Sequence, residues 1–122
     1  MKLDLDLIRE IMLKLEAKEN YGEVLNREVQ IPNHSTEEVA YHCDLLHQRN
    51  LVSSYSVKYA DNQIYYFKVG DLTWEGHEYL ETVREKTRWD KIKKMITEKG
   101  QPLLLDTVKF VSQTLITKAL GD

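Results

Sequence analysis

The stretch from Ser35 to Val52 constrains the fold more than any other, because it predicts both ends of a helix and the start of the strand after it. Ser35 can cap the first turn, and Glu38 stands three residues later, where it completes a capping box. Asn50 tolerates a left-handed backbone, so we expect the helix to end near it. The stripe that faces the core is predicted at Val39, His42, Cys43 and Leu46.

Two strand-like runs follow this helix. Leu51 to Tyr59 and Ile64 to Val69 are rich in β-branched and aromatic residues. Asp61 and Asn62 stand at the centre of the four residues between them, and both residue types accept the backbone conformations of tight turns. The sequence therefore predicts a β-hairpin directly after the helix.

An amphipathic helix is predicted from Asp4 to about Lys18, on the apolar spacing of Leu5, Ile8, Ile11, Met12 and Leu15. The segment from Glu23 to Ile31 has two interpretations. Alternation around Val29 and Ile31 indicates a short strand, whereas residues 24–28 could form one or two helical turns. Pro32 ends either structure, so we expect no full second helix before Ser35.

Further helices are predicted after the hairpin. Thr73 is the expected N-cap of the first. Thr87 and Asp90 repeat the capping-box spacing, which predicts a break there and a new helix from Arg88 to about residue 98.

The last helix is predicted from about Leu103 to Leu120, after Gly100 as a helix C′ residue and with Pro102 in its first turn. Its apolar surface is wide for a terminal helix. It either completes the core or meets the same helix of another subunit, which would give a homodimer. The interface candidates are Val108, Val111, Leu115 and Ile116.

Length and composition set the class of protein. At 122 residues the chain fits one domain, in which we distinguish a core at residues 1–86 and a C-terminal helical extension at 87–122. No apolar run approaches the ~20 residues of a membrane span, and no leader pattern opens the chain. Together with the single Cys43, these features predict a cytoplasmic protein without a membrane partner.

The net charge of −3 is unevenly distributed. Residues 1–82 hold 8 Lys/Arg against 15 Asp/Glu, whereas residues 83–100 hold 7 against 3. Any attraction for phosphate must therefore come from the second region. The phosphate-contact candidates are Arg84, Lys86, Arg88, Lys91, Lys93 and Lys94, although a solvated helix face would explain the same residues.

The order of helix, short strand, helix and hairpin is that of winged-helix domains. VAYHCDLLHQRNLV resembles the recognition helix and following strand of bacterial winged-helix regulators, and LTWEGHEYL resembles the run after their wing. MKLDLDLIREIM, EEVAYHCDLL, LTWEGHEYLETVR and RWDKIKK together resemble an uncharacterised bacterial and phage family of unknown function. The resemblance implies an α+β fold, a winged helix-turn-helix with additional C-terminal helices, and transfers no activity.

In such a fold the helix at Ser35 and the hairpin would form the contact surface. The candidates for contact with DNA or a protein partner are Thr36, Glu37, Tyr41, Asp44, Gln48, Lys58 and Lys68, with Ala40 also expected to face outward. Only Gln48 on the helix belongs to the residue types that commonly read bases. Glu37 and Asp44 would face phosphate unfavourably, so a solvated or protein-binding face remains an alternative.

No catalytic or metal site is predicted. Cys43 and His47 are four residues apart on the helix, but no ligand pair has zinc-finger spacing and Cys43 lies on the apolar stripe. Phosphate-loop, nucleophile-elbow and zinc-protease motifs are absent from the sequence. We therefore expect a non-enzymatic protein without a cofactor or an identified small-molecule substrate.

The functional expectation is a winged-helix protein that acts by binding. It would bind duplex DNA in transcription regulation, or it would be a protein-interaction module that uses the same scaffold without DNA.

Overall fold

In the computed structural model, which describes residues 1–121, the chain forms five α-helices, one short 3₁₀-helix and one three-stranded antiparallel sheet. The architecture is therefore α+β. The described chain divides into two compact units, Met1–Leu80 and the residues from Glu81 onward. This division falls earlier than the boundary at 86/87 drawn from the sequence.

Helix α1 (Leu5–Ala17) opens the first unit. The Asp4 carboxylate accepts hydrogen bonds from the backbone N–H groups of Asp6 at 3.0 Å and Leu7 at 3.1 Å, and so caps the helix. All five residues of the predicted apolar stripe are buried. The amphipathic prediction is confirmed.

The segment before Pro32 contains both a short strand and a short helix, but the strand lies earlier than the sequence indicated. Strand β1 (Val24–Leu25) is followed by a 3₁₀-helix at Asn26–Glu28. Of the two interpretations left open, a strand around Val29 and Ile31 is wrong, because these residues form no strand; both side chains are buried. The alternation of apolar and polar residues around Val29 and Ile31 therefore reflects two buried side chains in an irregular segment. As expected, no full second helix forms before Ser35.

Helix α2 (Thr36–Gln48) has the predicted capping box at Ser35 and Glu38. It ends just before Asn50, whose φ of 59° is the left-handed conformation expected of it. The predicted core stripe is buried. Ala40, expected to face outward, is also buried, at 2% exposure.

Strands β2 (Tyr55–Ala60) and β3 (Gln63–Val69) form the predicted hairpin, joined by Asp61 and Asn62 with φ of 53° and 65°. Two successive left-handed residues give a turn whose twist matches that of the strands. The strand order β1-β3-β2 places β2 at an edge. The expectation that the first strand begins at Leu51 is wrong, since β2 begins four residues later.

Helix α3 (Trp74–Val83) begins after Thr73, as predicted. The Thr73 hydroxyl accepts a hydrogen bond from the N–H of Gly76 at 3.0 Å and donates one to the carbonyl of Asn50 at 2.6 Å. The N-cap of α3 is thereby tied to the segment that leaves α2.

The second unit contains helices α4 (Lys86–Glu98) and α5 (Leu105–Gly121), which contact each other. The predicted cap at Thr87 is wrong, because Glu85 is the N-cap and Thr87 already lies within the helix. Gly100 has the expected positive φ of 69°. Pro102, in contrast, lies before α5 and not in its first turn.

Candidate functional site

A capping box closes the first turn of α2. The Ser35 hydroxyl accepts a hydrogen bond from the N–H of Glu38 at 3.1 Å, and the Glu38 carboxylate accepts one from the N–H of Ser35 at 3.3 Å. A hydrogen bond from His34 to that carboxylate is the largest cause that lowers the pKa of Glu38. Contacts among His34, Ser35 and Glu38 therefore stabilise the first turn of α2.

His42 fixes α2 to the start of α1. The backbone N–H of Asp4 donates to Nε2 of His42 at 2.9 Å, and Nδ1 of the ring lies 2.8 Å from the carbonyl oxygen of Glu38. Because Nε2 accepts, the ring proton is on Nδ1, which donates to Glu38. Both ring nitrogens are used and the side chain is only 2% exposed, so His42 is a structural residue.

A bulge in β3 changes which residues share a face of the hairpin. Lys58 pairs with Tyr66 and Tyr59 pairs with Ile64, which leaves Tyr65 without a partner on β2. The extra residue reverses the alternation, so Ile64 lies on the same face as Tyr59. Lys58, Tyr66 and Lys68 belong to the opposite face.

The first of these faces and the outward side of α2 enclose a groove of about 330 Å³, here called the α2–hairpin groove. Its walls are mainly aromatic and aliphatic, and burial raises the pKa of the hydroxyl of Tyr55, one of the lining residues. The groove is lined by Met1, Glu37, Ala40, Tyr41, Asp44, Tyr55, Val57, Tyr59, Asn62 and Ile64.

The charged side chains that line the α2–hairpin groove have one sign. Glu37 and Asp44 bring two carboxylates, and none of the described residues that line it has a basic side chain. Tyr41 at 37% exposure and Tyr59 at 64% exposure present aromatic rings beside them. This combination suits a ligand that has both cationic and apolar groups.

The structure brings only some of the predicted contact residues together. Glu37, Tyr41 and Asp44 line the groove, while Thr36 and Gln48 are exposed but lie outside it. Lys58 and Lys68 were expected to flank the same surface, but they lie on the other face of the hairpin. The strand residues of the groove that sequence reasoning missed are Tyr55, Val57, Tyr59 and Ile64, and Met1 and Asn62 were missed as well.

Side chains alternate between the two faces of a strand, so the sequence of β2 could have placed Tyr55, Val57 and Tyr59 on the same face. Ile64 could not be assigned in the same way, since its direction depends on the bulge at Tyr65. Nothing in the local sequence marks that position.

Four of the six phosphate-contact candidates lie close to acidic neighbours. Arg84 contacts Glu81 at 3.0 Å, and Asp90 contacts both Lys86 at 2.5 Å and Lys93 at 3.7 Å. The hydrogen bond from Lys86 is the largest cause that lowers the pKa of Asp90. Exposed pairs of this kind are weak, but they offset part of the positive charge available to phosphate.

The remaining basic candidates differ in their surroundings. Lys94 lies 4.0 Å from the Glu98 carboxylate, and Lys93 also lies 5.3 Å from the ring centre of Trp89. Arg88 is half-buried and Lys91 is exposed. The six phosphate-contact candidates therefore do not form a single patch of unpaired positive charge.

The interface candidates on α5 also differ in exposure. Val108 is fully buried and so cannot face another subunit, whereas Val111 and Leu115 are half-buried. Ile116 is 37% exposed and Phe110, missed by the sequence reasoning, is 70% exposed. The large apolar side chains left exposed on α5 are thus Phe110, Ile116 and Leu120, the last at 83% exposure.

The buried thiol of Cys43 has an environment that disfavours the thiolate. It is fully buried, and burial raises its pKa to about 12. Within residues 1–121 no three His, Cys, Asp or Glu side chains are grouped so that they could hold a metal ion. None of the helices in that range is long and apolar enough to cross a membrane.

These features define the class as an α+β protein with a small antiparallel sheet and a groove beside its second helix. The chain belongs to the family described as "Hypothetical protein (DUF2513)", whose model matches residues 2–102. It is also 36% identical to an uncharacterized protein of Haemophilus influenzae, over 99% of this chain and 100% of that protein. No solved structure matches the chain. The predicted relationship to a family of unknown function is confirmed.

Proposed function

We propose that residues 1–80 are a winged-helix module that binds a segment of a partner protein in the α2–hairpin groove. The observation that carries this proposal is the composition of the groove, which has two carboxylates, three tyrosines and no basic side chain among its described residues.

The order of elements supports the winged-helix assignment. Helix α1, the short strand β1, helix α2 and the β2–β3 hairpin follow one another, and β1 pairs with β3 as the third strand of the sheet. The 3₁₀-helix at Asn26–Glu28 takes the place of the first helix of a helix-turn-helix. This shortened element removes much of the support that would hold α2 against a DNA backbone.

Charge favours a protein partner over DNA for this groove. Residues 1–80 hold 8 Lys/Arg against 14 Asp/Glu, a net charge of −6. Phosphate neutralisation dominates the affinity of most DNA-binding proteins, so Glu37 and Asp44 would weaken contact with a duplex. The same two carboxylates would attract a segment that carries Lys or Arg between apolar side chains.

A displayed library of random peptides tests this proposal on the full chain. We expect selected peptides to combine basic and apolar residues and to lose binding to the Glu37→Lys/Asp44→Lys variant. Glu19→Lys is the matched control, since Glu19 is exposed and does not line the groove. Failure to select any peptide, or selected peptides that bind the double variant as well as the wild type, would refute the proposal.

Duplex DNA is the second candidate partner, and the outer face of the hairpin supports it. Lys58 is exposed there, and Lys68 lies 5.9 Å from the ring centre of Tyr66. Basic side chains on an exposed β-ribbon can neutralise the phosphates of a duplex. In this mode the hairpin would contact the duplex through the face opposite the groove.

Salt dependence separates the two candidates. A DNA-binding hairpin predicts affinity for duplex DNA that falls steeply between about 50 and 200 mM salt and is weakened by Lys58→Gln/Lys68→Gln. The Glu37→Lys/Asp44→Lys variant should bind duplex DNA as tightly as the wild type or more tightly, because the two substitutions remove negative charge. If the chain does not bind duplex DNA even at low salt, DNA is excluded as a partner, and the proposal of a protein partner is unaffected.

A further inference from the structure

A second cleft in the first unit has the opposite charge. It has a volume of about 580 Å³ and lies between α1, the 3₁₀-helix and the start of α2; we call it the α1–α2 cleft. Its lining residues are Lys14, Asn26, Arg27, Val29, Gln30, Ile31, Pro32, His34, Ser35, Thr36, Val39 and Phe67. None of these residues is Asp or Glu, although the unit as a whole is acidic.

Two cations at this cleft are available to a ligand. Lys14 on α1 and Arg27 on the 3₁₀-helix are both exposed. Neither forms an ion pair within the part of the chain that the structure describes. His34 also lines the cleft, but its Nδ1 lies 3.1 Å from the Glu38 carboxylate and is already used.

Neutral donors accompany the two cations. The side-chain oxygen of Asn26 accepts a hydrogen bond from the N–H of Phe67 at 3.2 Å, so the orientation of the amide is set and its two N–H donors remain. Gln30 is exposed and adds a second amide. Guanidinium, ammonium and amide donors together match the acceptor oxygens of a phosphate group.

We propose that the α1–α2 cleft binds a phosphate-bearing ligand of mononucleotide size. The volume lies within the roughly 300–1,000 Å³ of small-molecule sites. Arg27 can contact two phosphate oxygens at once, and Lys14 supplies a point charge beside it. The site is independent of the α2–hairpin groove, since the two share no lining residue and carry opposite charge.

The phosphate can come from a free nucleotide or from a nucleic-acid backbone, and calorimetric titration of the full chain separates these sources. The probes are inorganic phosphate, adenosine 5′-monophosphate and a short DNA duplex, each at low salt. The variant is Lys14→Gln/Arg27→Gln, and Lys2→Gln is the control, because Lys2 is exposed and does not line the cleft. Circular dichroism checks that the variants fold.

We expect saturable binding of adenosine 5′-monophosphate that the double variant weakens by about tenfold or more, equal to ~1.4 kcal/mol or more, while the control is unchanged. Binding of the duplex alone, weakened by the same variant, would assign the cleft to backbone phosphate. If none of the three probes binds, or if the double variant binds as well as the wild type, the proposal is overturned. Glu37→Lys/Asp44→Lys should leave nucleotide binding intact, so failure of the groove proposal would be seen separately.

Discussion

Replacement of Gly76 by alanine sets two physical effects against each other. Gly76 lies in α3, where alanine is favoured over glycine by about 1 kcal/mol on helix propensity alone. However, a Cβ at this position would lie 2.1 Å from the carbonyl oxygen of Leu51, well inside the ~3.5 Å at which nonbonded heavy atoms normally meet. The obstacle is backbone, so no side-chain rotation can relieve it.

The close approach also involves a hydrogen bond. The same carbonyl of Leu51 accepts the N–H of Thr73 at 3.1 Å, so a shift of α3 that makes room for a methyl group would weaken this bond. Overpacking of this kind costs about 1–3 kcal/mol, and a weakened hydrogen bond adds about 1 kcal/mol. After the propensity gain is subtracted, we expect Gly76→Ala to destabilise the protein by about 1–3 kcal/mol.

Urea unfolding followed by circular dichroism measures this change. The matched control is Glu78→Ala, an exposed substitution in the same helix, which should change stability by less than about 0.5 kcal/mol. A Gly76→Ala variant that is more stable than the wild type by about 1 kcal/mol would show that propensity decides, and the close packing of α3 against Leu51 would be refuted.

Three other predictions follow from named contacts. His42→Leu should lower the free energy of unfolding by about 2–3 kcal/mol, since it leaves the Asp4 N–H without its acceptor; a loss under about 0.5 kcal/mol in urea unfolding would contradict the role of His42. Partial burial raises the pKa of Asp71, but hydrogen bonds from Lys18 and a backbone amide outweigh it and lower the pKa below its usual value. Asp71→Asn should therefore be destabilising at neutral pH, and the difference from the wild type should shrink as pH falls below about 4; a difference independent of pH would exclude a role for the carboxylate charge. If α5 forms a homodimer, Ile116→Glu should convert it to a monomer in sedimentation equilibrium, and a wild-type monomer at high concentration would remove the homodimer from consideration.

Most elements of the fold could be predicted from the sequence because their signals are local. The capping groups at Ser35 and Thr73 act on backbone amides within one helical turn. The errors arose where a local signal competed with another cap, as at Thr87. They also arose where burial imitated a strand, as at Val29 and Ile31.

The candidate sites were less predictable. Glu37, Tyr41 and Asp44 could be placed on an exposed face from helical spacing, and they do line the groove. The placement of Lys58 and Lys68 on the opposite face of the hairpin could not be predicted, because residue spacing does not show which face of a hairpin packs against a helix. Exposed side chains also have few neighbours that would restrict their identity.

The sequence by itself determined most of the helices, the caps at Ser35 and Thr73 and the turn at Asp61 and Asn62, because each depends on residues only a few positions apart. Only the tertiary structure decided which surfaces could bind a ligand. The bulge at Tyr65 turns Ile64 towards α2, and the pairing of β1 with β3 brings distant segments together. As a result an acidic groove and a cationic cleft form in the same unit. The two carboxylates of the groove lie on one helix, whereas Lys14 and Arg27 of the cleft lie on different elements, so only the folded arrangement brings these two cations together.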